Sequence, residues 1–397
     1  MSAVFPFNMK VYKFKAYSKA KDGIQDRLIT RFGHVRNFAV KMMGRYYRLY
    51  GKTLTAYDLS NHIAKKKKRD CRTARMVEGL PSQAVQECIA RVYKGLRNFF
   101  AYCKRKKSGK VTTRVRPPKC RKASHNKSYT LLQAGYKFNA DRTKVSLQGK
   151  WYGFFKSREI KGRIKRLTIK RDRSGDVWFV ILTDWEDVQT MPKTGRAAGY
   201  DFGLKTFLTR HDGDKTEMPM FFKREMRKLA KLQKRLARKE KGSNHRRQAR
   251  LAVARLHRRM ENMRNDWQWK TARAIVQGFD VICIEDLNLE GMKRLWGRKV
   301  TDYGFAEFVA KLEYLAWKNG KEVRKVDRWL ASSQTCSVCG YKNPDTKNPK
   351  VREWECPHCH TRHDRDENAA KNILMAGTSA IGLDIVRPTP QGGANVA

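Results

Sequence analysis

A chain of 397 residues has room for two or three domains with sizeable cores, and its 88 Lys and Arg against 37 Asp and Glu leave a formal charge of +51. That charge repels itself unless a polyanion neutralises it, so nucleic acid is the expected partner. No stretch approaches the roughly 18 consecutive apolar residues of a membrane span, the N-terminus lacks the apolar core of a secretory signal, and a soluble cytoplasmic protein with no membrane partner is expected.

Composition alone leaves two classes open, a nucleic-acid enzyme and a basic ribosomal-type RNA-binding protein. Of nine cysteines, Cys71, Cys88, Cys103, Cys120 and Cys283 are scattered without a disulfide framework, as in a reducing compartment.

In chain order, residues 9–17 read as a strand, with Tyr12, Phe14 and Ala16 alternating with Lys13 and Lys15. A helical region follows. Its clearest member begins at Pro81-Ser82 and sets Val85, Cys88, Ile89, Val92, Leu96, Phe99, Phe100 and Cys103 at three-and-four spacing, predicting one buried face. Gln83, Gln86, Arg91 and Lys94 lie elsewhere on that helix as candidate nucleic-acid contacts, with plain solvated positions the alternative. From about 110 to 190 short β runs take over, including the aromatics Trp151, Tyr152, Phe154 and Phe155 and a hairpin turning at Ser174-Gly175-Asp176. The expectation is a small β-barrel or sheet whose interleaved Lys and Arg suit a phosphate backbone.

A linker at 192–195 leads to strand, tight turn and strand over 197–209. The basic stretch 222–275, broken at Lys241-Gly242-Ser243-Asn244, predicts two helices in a hairpin, with Arg and Lys on most faces. Residues 281–284 read as a buried strand, 302–318 as a helix, Val323 and Val326 as part of a strand, and 366–374 as a helix with Asp364 near its start. The Gly- and Pro-rich tail from Gly377 is expected to be poorly ordered.

Two features carry chemistry. Cys336 and Cys339, then sixteen intervening residues, then Cys356 and Cys359 form two CxxC pairs. At that separation each pair can fold into a knuckle that directs two thiolates at one tetrahedral Zn²⁺. Three acids also stand out in so basic a chain. Asp201 and Glu285 each end a short apolar strand, and Asp366 opens a helix, so rigid backbone holds each carboxylate at an edge. Hard oxygen donors select Mg²⁺ or Mn²⁺. Two such ions serve phosphodiester hydrolysis, with Asp201 bridging both and Glu285 and Asp366 each completing one coordination shell. Singly, each acid would read as a turn or helix cap; Asp286 and Asp364 are candidate supporting groups.

The segments GYDFGLKTFLT (199–209), VICIEDL (281–287), SSQTCSVCG (332–340) and HDRDENAAKNIL (363–374), in this order, resemble the motifs of the TnpB family, transposon-encoded RNA-guided DNA endonucleases related to compact type V CRISPR effectors. The match covers most of 195–375, whereas the N-terminal half matches mainly in layout. Ala331 departs from the Pro or Tyr-Pro of related sequences. The resemblance implies an RNase H-like (RuvC) α/β nuclease domain, 193–331 and 363–376, with Asp201, Glu285 and Asp366 catalytic, the basic hairpin 222–275 within it and a zinc ribbon, 332–362, inserted. It also implies a wedge β-barrel split into 1–18 and 109–192 around a helical recognition lobe, 19–108, followed by a tail at 377–397. Its partners would be a guide RNA derived from the transposon end and double-stranded target DNA cut beside a short flanking motif, in a ribonucleoprotein with one copy of the protein. The alternatives are a nuclease-inactive guided repressor and a DDE-type transposase.

Overall fold

The computed structural model describes residues 9–17, 23–69, 71–109, 114–184, 191–287, 289–348 and 350–379. They form two compact units, Met1–Asp187 and Val188–Ala397. Among the described residues no helix is long and apolar enough to cross a membrane.

In the first unit β1 (Lys10–Lys15) buries Tyr12 and Phe14 on one side, as its alternation predicts. Four helices follow: α1 (Ile24–Tyr50), α2 (Ala56–Lys67), α3 (Arg72–Val77) and α4 (Ser82–Lys107). Then come β2 (Ser128–Leu131), β3 (Lys137–Phe138), β4 (Lys144–Leu147), β5 (Lys150–Gly153), β6 (Ile164–Arg171) and β7 (Val177–Thr183). One antiparallel sheet has the order β1-β7-β6-β2 and another β3-β4-β5, so β1 pairs with a strand beyond all four helices. An isolated bridge between Ala16 and Phe154 joins the two sheets. Phe14, Phe154 and Phe179 pack ring against ring at 5.3 and 5.7 Å. Each buried phenyl contributes about 2–3 kcal/mol relative to exposure. The apolar face of α4 is buried at Val85, Ile89 and Val92, but Phe100 is 40% exposed, because the core ends before the helix does.

The second unit contains β8 (Ala197–Asp201), β9 (Leu208–Arg210), β10 (Lys215–Thr216), α5 (Phe221–Ala237), α6 (Asn244–Gly278), β11 (Val281–Glu285), α7 (Leu289–Tyr303), α8 (Phe305–Lys318), β12 (Glu322–Val326), β13 (Glu353–Glu355), β14 (Arg362–Asp364) and α9 (Arg365–Thr378). The main sheet runs β10-β9-β8-β11-β12, with β8, β11 and β12 parallel and β9 antiparallel to β8. The basic stretch folds into two helices at the expected break. Ser243 caps α6, its hydroxyl accepting from Arg246 N at 3.1 Å. Instead of one helix over 302–318, the structure has α7 and α8, parted at Gly304, whose φ of +62 the glycine tolerates without a Cβ clash. Asp302 belongs to the last turn of α7, and its carboxylate accepts from Phe222 N and Lys223 N, satisfying orphan amides of α5.

Strand alternation divides the sheet. Ala198, Tyr200, Ile282 and Ile284 join the core with α6 and α8, whereas Cys283 joins Ile373 and Val326 under α9. Gly199 lies on the α9 side as well. A methyl there would run into the Ala370 carbonyl and Leu374. Gly199→Ala is expected to cost about 1–3 kcal/mol by overpacking, read as a lower urea midpoint; an unchanged midpoint would mean α9 is not seated so closely. The ordered helix also runs past the expected start of the loose tail. Gly377 packs on Cys283 and Thr378 is 1% exposed, while the tail beyond 379 lies outside the described residues.

Candidate active site

Period two along a strand places Asp201 in phase with Gly199, and Glu285 in phase with Cys283. Both acids therefore sit at the ends of adjacent parallel strands, on the face that α9 covers. Asp366 lies in the first turn of α9, one turn before Ala370, the residue that rests on Gly199. The charges reveal the grouping. Burial first, then Asp366, then Glu285, push the Asp201 carboxyl up to about 7. Glu285 is raised too, by burial and then by Asp286.

Basic groups surround this cluster. Arg352 Nη1 lies 3.2 and 3.4 Å from the two oxygens of Asp366. Asp364 caps α9, its Oδ1 accepting from Asp366 N at 2.9 Å and Glu367 N at 3.1 Å, and its Oδ2 meets Lys215 Nζ at 2.8 Å. Burial works against that charge, but Lys215 and the two amides outweigh it and hold Asp364 below the usual carboxylate range. Asp286 is engaged by Arg328. Asp364 and Asp286 thus have structural partners of their own.

A buried carboxylate whose proton affinity is raised by two neighbouring acids belongs to a donor set that hard divalent cations fit, since a cation offsets the repulsion at Asp201. Because Asp201 must lose its proton to ligate, Mn²⁺ affinity is expected to fall roughly tenfold per pH unit below about 7. Calorimetric titrations at pH 6 and pH 8 test this, and equal affinities would count against Asp201 as a ligand.

The ribbon is built into the same framework. The ligand atoms of Cys336, Cys339, Cys356 and Cys359 lie within 4.8 Å of one another, the grouping of this kind found among the described residues. Sγ separations of 3.6 Å for Cys336–Cys359 and for Cys339–Cys356 are near the roughly 3.8 Å edge of a tetrahedron with Zn–S bonds of about 2.3 Å. The two knuckles match. Gly340 N donates to Cys336 O at 3.0 Å and His360 N to Cys356 O at 2.9 Å, and both donors have left-handed backbones. Burial pushes the Cys336 thiol up to about 12, whereas Thr361 draws Cys359 down to about 6. A bound cation would compensate the buried thiolate at Cys336.

His363 stands behind this set. Its Nε2 is 3.1 Å from Cys336 Sγ and its ring lies 4.8 Å from that of Trp354. On α9, Asn368 Oδ1 accepts from Ser337 N, and the amides of Asn368 and Asn372 donate to Thr335 O at 2.8 and 2.6 Å. The helix that carries Asp366 is thereby tied to the first knuckle. Local sequence assigns no role to either asparagine or to His363; the four-residue spacing of Asn368 and Asn372, which puts them on one face of α9, is the signal the sequence holds.

On α4, Gln83 Oε1 accepts from the amides of Gln133 and Ala134, and Arg91 binds Glu87 at 2.6 Å and Thr130 at 3.0 Å. Gln86 and Lys94 are exposed.

A relative from Streptomyces pristinaespiralis, named "Putative RNA-guided DNA endonuclease", is 30% identical over 386 residues, covering 96% of this chain and 92% of the relative. The chain belongs to the TnpB family. Other TnpB-type relatives include "Putative RNA-guided DNA endonuclease InsQ" of Escherichia coli K12, 26% identical over 76% of each chain. A third, "TnpB-like protein L79" of Acanthamoeba polyphaga mimivirus, is 30% identical over 54% of this chain and 43% of its own length. Family models match at residues 305–373, "Cas12f1-like, TNB domain", and at 180–295, "Probable transposase" of the OrfB_IS605 type. A solved structure titled "Cryo-EM structure of the Cas12f1-sgRNA-target DNA complex" superposes with a TM-score of 0.55 over 90% of this chain and 83% of that one, at 15% identity, a likeness of fold.

Proposed function

We propose that this TnpB protein is the RNA-guided DNA endonuclease of a transposable element, with a guide RNA pairing to target DNA beside a short flanking motif. The observation that carries the reading is the junction of Asp201, Glu285 and Asp366 on one face of a sheet, with burial and like charge raising Asp201. A parallel core with antiparallel edge strands and acids at its strand ends supports an RNase H-like (RuvC) assignment of 193–331 and 363–376, interrupted by a zinc ribbon at 332–362. The pairing of β1 with β7 across four helices supports a wedge built from 1–18 and 109–192 around a recognition lobe at 19–108. Barrel closure of that wedge is part of the proposal.

Two Mg²⁺ or Mn²⁺ ions, when bound, would activate a water and stabilise the leaving oxygen of the phosphodiester. The chain's own groups do the rest. Asp201, Glu285 and Asp366 hold the ions, and the capped start of α9 keeps Asp366 in register with β8. The four ribbon cysteines hold Zn²⁺ as a structural ion. Gln83, Gln86, Arg91 and Lys94 remain candidate contacts to nucleic acid, with Gln83 acting through the loop it clamps. A cytoplasmic ribonucleoprotein with one copy of the protein follows from this reading. The intact acid triad favours neither an inactive repressor nor, with the ribbon lying between the second and third acids, a DDE-type transposase.

The test is to purify the protein from cells carrying its flanking DNA, sequence the co-purifying RNA, and add Mg²⁺ and a plasmid library with the guide's match beside randomised flanks. A discrete RNA and cutting beside one motif are expected. Discrete RNA without cutting would favour a repressor, and RNA-independent cutting or joining at transposon ends a transposase.

A further inference from the structure

The first unit contains an arginine-lined cavity that the chemistry above does not use. Its volume is about 400 Å³, within the range of sites that hold a small organic molecule. It lies among α1, α4, β2 and the segment 114–126, which is strapped across the helices. Asn37 holds that segment at both backbone groups of Arg121, donating to its carbonyl at 2.5 Å and accepting from its amide at 3.1 Å. Arg36 Nη1 donates to Lys119 O at 2.9 Å, and Asn126 Nδ2 to Ile29 O at 2.8 Å. The cavity is therefore a constructed feature of the fold.

Its charge is one-sided. Arg36, Arg91, Arg116 and Arg121 line it with a single acid, Glu87, and that carboxylate is taken by Arg91 at 2.6 and 2.8 Å. Among the described residues no carboxylate pairs with Arg36, Arg116 or Arg121. Burial, followed by the neighbouring Arg121, lowers the proton affinity of Arg36, as expected where like charges are held together without a counterion. The remaining lining differs in kind. Phe32, Val92 and Tyr129 offer a buried apolar wall, with the two rings stacked at 4.8 Å, and the exposed Asn98 adds an amide to the lining. Guanidinium groups beside an apolar wall match a phosphate attached to a nucleobase.

We propose that this cavity takes one unstacked nucleotide of the guide RNA, with its phosphate on Arg36, Arg116 and Arg121 and its base against the Phe32 side. The proposal rests on the RNA-guided reading and assigns a site within it. RNA is favoured over duplex DNA because a pocket of about 400 Å³ has room for one nucleotide that has left its stack and none for a duplex. Loops and bulges of RNA present such nucleotides, whereas a duplex must first break pairing and stacking.

The experiment compares wild type, Arg116→Glu and Arg116→Lys, each loaded with the RNA that co-purifies with wild type, by affinity against salt and by ultraviolet crosslinking with peptide mapping. Arg116 is exposed, so the charge reversal is expected to leave the melting temperature unchanged. R116E should weaken RNA binding roughly tenfold, about the worth of one charge-assisted hydrogen bond, and reduce the salt slope by about 0.7 for one lost phosphate contact. R116K should recover most of both, and wild-type crosslinks should fall on peptides bearing Phe32 or 115–118. Unchanged RNA affinity and slope in R116E would overturn the proposal, as would loss of duplex-DNA binding alone, which would reassign the cavity to DNA. A wild-type protein that binds no discrete RNA would instead overturn the RNA-guided reading, and this site with it.

Discussion

Asp201→Ala is expected to lower DNA cleavage by the RNA-loaded protein at least about 10³-fold while changing its RNA affinity by less than twofold. In the proposed scheme Asp201 would help hold both ions, so its loss would weaken both the activation of water and the stabilisation of the leaving oxygen that they supply. Some 4 kcal/mol of lost transition-state stabilisation corresponds to that factor. RNA affinity should survive because the removed group is an acid within the second unit's sheet, and a phosphate backbone gains nothing from it. Cleavage that persists in this variant would remove Asp201 from the mechanism.

The same residue makes a second, opposite statement about stability. Asp201's carboxyl is raised to about 7 from an ordinary value of 3.8, so the folded protein favours its neutral form. The stability associated with that proton is fully present below about pH 4 and is lost as pH rises through about 7. In magnesium-free buffer at pH 8, Asp201→Asn should therefore melt no lower than wild type. It should also flatten the decline of the melting temperature between pH 5 and pH 8. A variant both inactive and stabilised separates a functional acid from a structural one, because a helix cap or turn residue would lose stability when neutralised.

What the sequence disclosed about this site, and what it withheld, follows from the range of the interactions. Asp201 and Glu285 stand out as candidates because each ends a short apolar run, and three acids so placed in so basic a chain outweigh the turn or cap that each would suggest singly. The cysteines were legible from spacing alone, and the α5–α6 break from Gly242 and the Ser243 cap. The boundary at Gly304 was missed because α7 and α8 are both amphipathic, so apolar period alone does not show where one ends and the other begins, and a single glycine is tolerated inside a helical pattern. Arg352 on Asp366, Lys215 on Asp364 and Asn372 on Thr335 join positions 14, 149 and 37 residues apart. No local pattern encodes such pairings; they arise only when α9 lies on β8. Gln83 illustrates the converse, since a polar residue on the outer side of a helix reads as a contact group until the loop 133–134 is seen to fold onto it.

Cys356→Ser is expected to release the zinc and, through the ribbon, to disable a carboxylate site that it does not touch. Structural Zn²⁺ in small ribbon-like folds contributes about 10–16 kcal/mol of apparent binding energy at neutral pH, most of it expressed as folding. The ribbon's own apolar cluster consists largely of the ligands themselves with Trp354, so little remains to hold it once a thiolate is gone. Its two-stranded sheet pairs Trp354 with His363, and β14 runs directly into the Asp364 cap and Asp366. Loosening the knuckle therefore frees the first turn of α9, while the body of that helix stays seated through Ala370 and Ile373. The predicted signature is specific: loss of bound zinc by atomic absorption, earlier proteolysis within 340–362, and cleavage reduced at least tenfold, with the main unfolding transition of the second unit little changed. Added Zn²⁺ should not restore the variant, whereas it should restore wild type stripped by a chelator. Loss of zinc with full activity in Cys356→Ser would dissociate the ribbon from the acid site and leave Asp366 positioned by its helix alone, whereas full zinc content would remove Cys356 from the ligand set.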